Sequence, residues 1–229
     1  VGIFFNLSYT ASDAQQFSTK SLRTALNFAI QKKQGDERIY SPIASTSWAY
    51  VDVDDDIDLF EQNFTQAIDL LIRTELQSPL DIQLSTIPPY SDLAESIKTS
   101  WEELGNRTYT RCIAERQLPT QQCENKKISV TIHFVNVPDL SNYQVLLIGQ
   151  QIPSDPDQYS VWHSTQPTNF THFKNTRIDK LLEDGRRAQS RDERKLIYQE
   201  FQRLLVKESP AIFLEPITTY TVERKHNFL

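Results

Sequence analysis

Tyr143-Gln-Val-Leu-Leu-Ile148 runs into Gly149-Gln-Gln-Ile-Pro-Ser-Asp-Pro-Asp-Gln-Tyr-Ser-Val-Trp-His-Ser-Thr-Gln-Pro-Thr-Asn-Phe-Thr-His-Phe-Lys-Asn175, and this junction decides how the chain reads. The first segment is a near-continuous apolar run, the pattern of a strand buried on both faces. The second carries aromatic, amide and hydroxyl side chains with little strong charge. In α/β folds ligands sit beyond the carboxyl ends of strands. Gly149 to Asn175 is therefore the candidate binding loop. Its alternative is a long surface loop packed by its own Tyr159 and Trp162.

Upstream, Val1 to Ser8 is apolar and reads as a strand. Ser18 and Thr19 offer caps to a helix whose stripe is Leu22, Ala25, Leu26, Ala29 and Ile30, with Gly35 as its stop. Residues 40–58 look irregular. A second helix is expected over Phe60 to Leu76. A strand follows over Leu80 to Ser85, and a third helix over Asp92 to Leu104 is closed by Gly105. Tyr109 to Ile113 and Ile128 to Val135 are β-prone and flank the segment holding Cys112 and Cys123.

Downstream of the loop, helices are expected over Arg177 to Ala188 and Arg191 to Glu208. The second opens on the capping box Ser190-x-x-Glu193. Ala211 to Leu214 and Thr218 to Val222 read as strands. Strands alternating with helices predict an α/β fold, a mixed β-sheet flanked by helices. No linker is visible, so residues 1–229 read as a single unit.

Composition excludes several classes. The 229 residues carry a net charge of −6 without a long basic run, so a nucleic-acid footprint is absent. No apolar run is long enough to cross a membrane. The chain opens on Val1 with neither Met nor a signal peptide, which reads as a mature chain or an excised domain. Cys112 and Cys123 either close a hairpin disulfide, as an oxidising compartment allows, or remain two thiols. No Cys/His spacing fits zinc.

Asn6, Asn63, Asn106 and Asn169 open Asn-x-Ser/Thr sequons, which would be glycan acceptors in a eukaryotic secreted glycoprotein. Asp52-Val-Asp-Asp-Asp-Ile-Asp58 lacks the glycine and glutamate of a calcium loop, so it reads as a solvated acidic loop. His163 and His172 share the long loop, but no histidine pair has metal-ligand spacing. Ser164 beside His163 has no nucleophile elbow around it. No phosphate-cradling glycine motif occurs. No metal, cofactor or catalytic residue is expected.

Four blocks carry a family resemblance. They are Phe5-Asn6 with Ser21-Leu-Arg-Thr-Ala-Leu-Asn-Phe-Ala-Ile30; Ala67-Ile-Asp-Leu-Leu71; Gly149 with Asp155-Pro-Asp-Gln-Tyr159, Trp162-His-Ser164 and Asn169; and Asn175-x-x-Ile-Asp-Lys-Leu-Leu182 with Arg194, Tyr198 and Ser209-Pro-Ala-Ile-Phe-Leu214. In this order and spacing the chain resembles the bacterial family-5 solute-binding proteins of peptide and nickel ABC importers. The cysteine segment and Asp52 to Asp58 fit no part of that pattern.

The resemblance implies the second, C-terminal lobe of a two-lobed flytrap of the periplasmic-binding-protein type (type II), with the N-terminal lobe missing. It implies an extracytoplasmic, membrane-tethered protein whose partners are a peptide or other small solute and the importer's membrane subunits. Alternatives are another solute, a nickel chelate or oligosaccharide, or a hydrolase built on His163 and Ser164. The implied ligand contacts are Gln150, Gln151, Ile152, Pro153, Trp162, His163 and Asn169. In peptide-binding members an aspartate shortly before the Asp-Pro motif holds the ligand's α-amine. Here that place falls on Ile152 and Pro153, and Gln150 stands where a tryptophan is usual. The expectation is a lobe without the amine anchor, using neutral polar and stacking contacts.

Overall fold

Sheet order, burial and contacts come from a computed structural model that describes residues 1–8, 17–51, 57–116, 118–152 and 155–217. The five strands are β1 (Gly2–Phe5), β2 (Leu80–Thr86), β3 (Ile128–Phe134), β4 (Val145–Ile148) and β5 (Ala211–Phe213), arranged β3-β2-β4-β1-β5. β2 is parallel to β3 and β4, whereas β1 is antiparallel to both β4 and β5. The sheet is mixed, as expected. The carboxyl ends of β2, β3 and β4 therefore share one edge with the start of β1 and the end of β5.

Strand alternation sends side chains to two cores. Ile3, Phe5, Ile82, Leu84, Val145 and Leu147 face α1 (Lys20–Ala29), α2 (Phe64–Arg73) and α3 (Ser91–Glu115). Phe4, Ala211 and Phe213 face the other way, toward α6 (Thr176–Arg187), α7 (Arg191–Glu208) and the segment around Ile43 and Val51. Between them in sequence lie the short helices α4 (Thr120–Glu124) and α5 (Tyr159–Trp162).

The stripe of α1 is buried as read, whereas Leu196 of α7, expected on a buried stripe with Phe201 and Leu205, is exposed, and several boundaries move. In α1, Leu22, Ala25, Leu26 and Ala29 are buried, yet the helix ends at Ile30, short of Gly35. Lys32 reaches back there, its Nζ donating to the carbonyls of Asn27 (2.7 Å) and Ile30 (3.4 Å), which supplies the C-terminal cap. α2 starts at Phe64 because Asn63 caps it, accepting from Gln66 N at 3.0 Å.

The largest correction is α3. It runs through Gly105 and over Tyr109 to Ile113, so the expected strand is helix. Gly105 is there for close packing: a Cβ would lie 2.5 Å from Ile128 N, where the helix crosses β3. α3 ends at Arg116 in the left-handed region. A disulfide joins Cys112, in the last turn of α3, to Cys123 in α4, with both residues buried. The bond closes a helix-to-helix turn, where a hairpin was expected. Thr218 to Val222 and 52–56 of the acidic run lie outside the described residues.

Candidate functional site

Gln150, Gln151 and Ile152 leave the carboxyl end of β4 and line a pocket of about 500 Å³. Ile39, Ala44, Ser45 and Thr46 also line it, together with Val1, Pro216 and Ile217. The size suits a small ligand or a few residues of a peptide. Two backbone bonds bring these separate segments together: Leu214 N to Val1 O (3.1 Å) and Ile39 N to Leu214 O (3.2 Å). Pro153 lies outside the described residues.

Gly149 lets the wall form. A Cβ there would lie 2.5 Å from the Tyr90 hydroxyl and 2.9 Å from Ile217 Cδ1, so a larger residue would push into the pocket's edge. The lining side chains are neutral. Charge sits beside them, already matched: Lys33 Nζ is 2.9 Å from Glu215 and 3.7 Å from Glu37. The hydrogen bond to Glu215 raises the Lys33 pKa. Burial, then the Glu215 charge, raises that of Tyr90.

Trp162, His163 and Asn169 are not brought to this pocket; they hold the long loop together. Trp162 is fully buried, its ring 6.4 Å from those of Phe4 and Phe213. Asn169 donates to Phe173 O (2.9 Å) and accepts from Thr171 Oγ1 (2.8 Å). His163 stacks on Tyr159 at 4.2 Å, with Nδ1 2.9 Å from Thr165 Oγ1 and Nε2 3.4 Å from Glu183. The packed-loop alternative describes this half of the segment.

The same bonds remove the hydrolase arrangement. The Ser164 hydroxyl is bound to Asp179, whose other oxygen accepts from Ser164 N at 2.8 Å, so serine and histidine engage different partners. Among the described residues no group of three or more histidine, cysteine or carboxylate side chains gathers to hold a metal. No helix there is long and apolar enough to cross a membrane. Asn6 and Asn169 are buried with their amides engaged, so neither sequon offers its nitrogen to a glycan.

The Asp-Pro-Asp turn is bolted to the last two long helices. Asp155 takes both Arg194 nitrogens, at 2.7 and 2.9 Å, and Asp157 takes Arg186 Nε at 2.8 Å. The Arg186 guanidinium also lies 3.9 Å over the Tyr159 ring. Hydrogen bonding to Arg194 holds the Asp155 carboxyl below the usual carboxylate range.

No sequence-family profile matches the chain. The oligopeptide-binding protein AppA of Bacillus subtilis is 25% identical over an alignment 220 positions long, which covers 86% of this chain and 38% of AppA. The chain is homologous to the family-5 peptide- and nickel-binding proteins. Solved family-5 structures share its fold. AppA of Bacillus subtilis in complex with a nonapeptide superposes with a TM-score of 0.66 at 20% identity, covering 94% of this chain and 44% of that one. NikZ from Campylobacter jejuni in complex with Ni(L-His) gives 0.69 at 21% identity, over 93% and 44%. The periplasmic binding protein DppA from Helicobacter pylori, in complex with the peptide STSA, gives 0.68 at 19% identity, over 93% and 40%. These family-5 relatives are solute-binding proteins and not enzymes. The chain spans less than half of their length.

Ser45, Thr46, Ile39 and Ile217 escaped the sequence reading. Their segments lack periodicity, and the backbone bonds from Leu214 to Val1 and from Ile39 to Leu214 gather them.

Proposed function

We propose that residues 1–229 form one lobe of an extracytoplasmic solute-binding protein, which captures a short peptide for an ABC importer. The observation that carries this reading is the neutral pocket of about 500 Å³ at the carboxyl end of β4. β1 starts and β5 ends beside it, so the chain enters and leaves the sheet next to the pocket. A second lobe attached through those segments would face the pocket and cover the ligand's other side. Importer membrane subunits would receive the closed form.

The pocket chemistry bears on the ligand. Extended peptides present backbone N–H and C=O groups, which Gln150, Gln151, Ser45 and Thr46 can pair from this side. The apolar residues Ile39, Ile152 and Ile217 suit a side chain. A buried ammonium without a carboxylate partner costs several kcal/mol. Asp155 is committed to Arg194 and Glu215 to Lys33. This lobe therefore favours a peptide segment whose amine is blocked, absent or held by the other lobe. Among the described lining residues there is no histidine, cysteine or carboxylate, which supports a peptide over a nickel chelate in this reading.

The test is calorimetry of the longer, two-lobed protein with a peptide offered free and N-acetylated. Similar affinities are expected. Loss of binding on acetylation, together with loss of free-peptide binding in Asp155→Asn, would show that Asp155 anchors the amine and overturn this reading of the pocket.

A further inference from the structure

A second, buried polar cluster lies next to Ile39, which also lines the pocket. Asn27 and Arg38 are each 4% exposed and Lys32 is 5% exposed. Lys32 Nζ is satisfied by the carbonyls of Asn27, Ile30 and Phe60. The Arg38 terminal nitrogens donate to Glu61 and to Leu59 O. Two buried atoms of the cluster have no protein partner: Arg38 Nε, a donor, and Asn27 Oδ1, an acceptor. Both residues, with Lys32, line a void of about 10 Å³.

The occupant must accept one hydrogen bond and donate another. A void of this size is too small for a polyatomic anion, and a metal cation would meet the Arg38 guanidinium and Lys32 against a single lining carboxylate, Asp58. The void is at the lower size limit for one water, roughly 10–15 Å³. An unpaired buried polar atom costs about 1–3 kcal/mol, so both atoms gain from the bridge. We propose that Asn27, Lys32 and Arg38 enclose an internal site for one water molecule, which accepts from Arg38 Nε–H and donates to Asn27 Oδ1. The water joins the last turn of α1 to the segment carrying Ile39. Ile39 lines both the void and the larger pocket, so the bridge fixes one residue of the pocket lining. The inference stands independently of the proposed ligand.

A crystal structure of the wild-type protein at near-atomic resolution tests it. One ordered water within hydrogen-bond distance of Arg38 Nε and Asn27 Oδ1 is expected. Empty density, or a direct bond between the two side chains, overturns it. In solution, the Arg38 Nε proton should show a nuclear Overhauser effect to a long-lived water, and its absence from the wild type also overturns the site. The effect should vanish in Asn27→Leu, which removes the acceptor and fills the void. A water retained there at unchanged occupancy overturns the bridging assignment.

Discussion

Asp155 and Arg194 form a two-pronged ion pair that ties the turn after the candidate pocket to α7, with both carboxylate oxygens engaged. The pair is partly exposed, so its contribution at neutral pH is at most about 1 kcal/mol. Its pH dependence has a definite sign. The folded-state pKa of Asp155 is depressed, first by the Arg194 hydrogen bond. Its stabilisation is therefore full above the unfolded value of about 3.9 and fades as pH falls through the lower folded value. Melting of wild type and Asp155→Asn should differ at pH 7 and converge on acidification below about pH 4. A difference independent of pH would contradict this role.

Lys32 acts in the same direction but over a higher pH range. Burial, then the Arg38 charge, pushes its pKa down to about 7 against a partial offset from Glu61. Asp58 also faces the cluster. The unfolded chain keeps the proton up to about pH 10.4. Unfolding thus takes up protons between these limits, and stability from this group rises with pH across them, by at most about 1.4 kcal/mol per pH unit. Denaturant titrations from pH 7 to 9 should show that rise in wild type relative to Lys32→Met. Parallel curves would contradict the burial account.

Gly105 and Gly149 should respond differently to alanine. In an exposed helix interior Gly→Ala gains about 1 kcal/mol. At Gly105 the new methyl meets the backbone of Ile128, which cannot step aside, so Gly105→Ala should cost about 1–3 kcal/mol. At Gly149 it meets the end of the Tyr90 side chain and Ile217, both able to rotate. Gly149→Ala should cost less stability and instead disturb the pocket edge. Paired denaturation curves decide the order.

Cys112–Cys123 closes a short loop of sequence separation 11. Removing it as the double serine variant should cost up to about 3 kcal/mol. Thiol titration of the denatured, unreduced protein should find no free thiol. Two thiols per chain would contradict the bond.

The legible parts of this fold are those where one periodicity acts alone. Leu22, Ala25, Leu26 and Ala29 mark α1, and the run ending at Ile148 marks the buried strand β4. Tyr109 to Ile113 misleads because a β-prone stretch is overridden by its continuation of α3 against β3. Gly105 resembles a helix stop, and only the Ile128 contact explains it. In the candidate site, Gln150, Gln151 and Ile152 line the pocket because they follow β4. Trp162, His163 and Asn169 carry the same polar and aromatic chemistry but are buried. Sequence pattern does not say which way a loop side chain turns.

Native mass spectrometry of the proposed two-lobed protein, purified without denaturation, tests the central claim most directly. The account predicts a bound species that dissociates as a peptide and is lost when Gln151 is replaced by glutamate and Ser45 by arginine. A copurifying solute of another class, or a peptide retained undiminished by that variant, would contradict it.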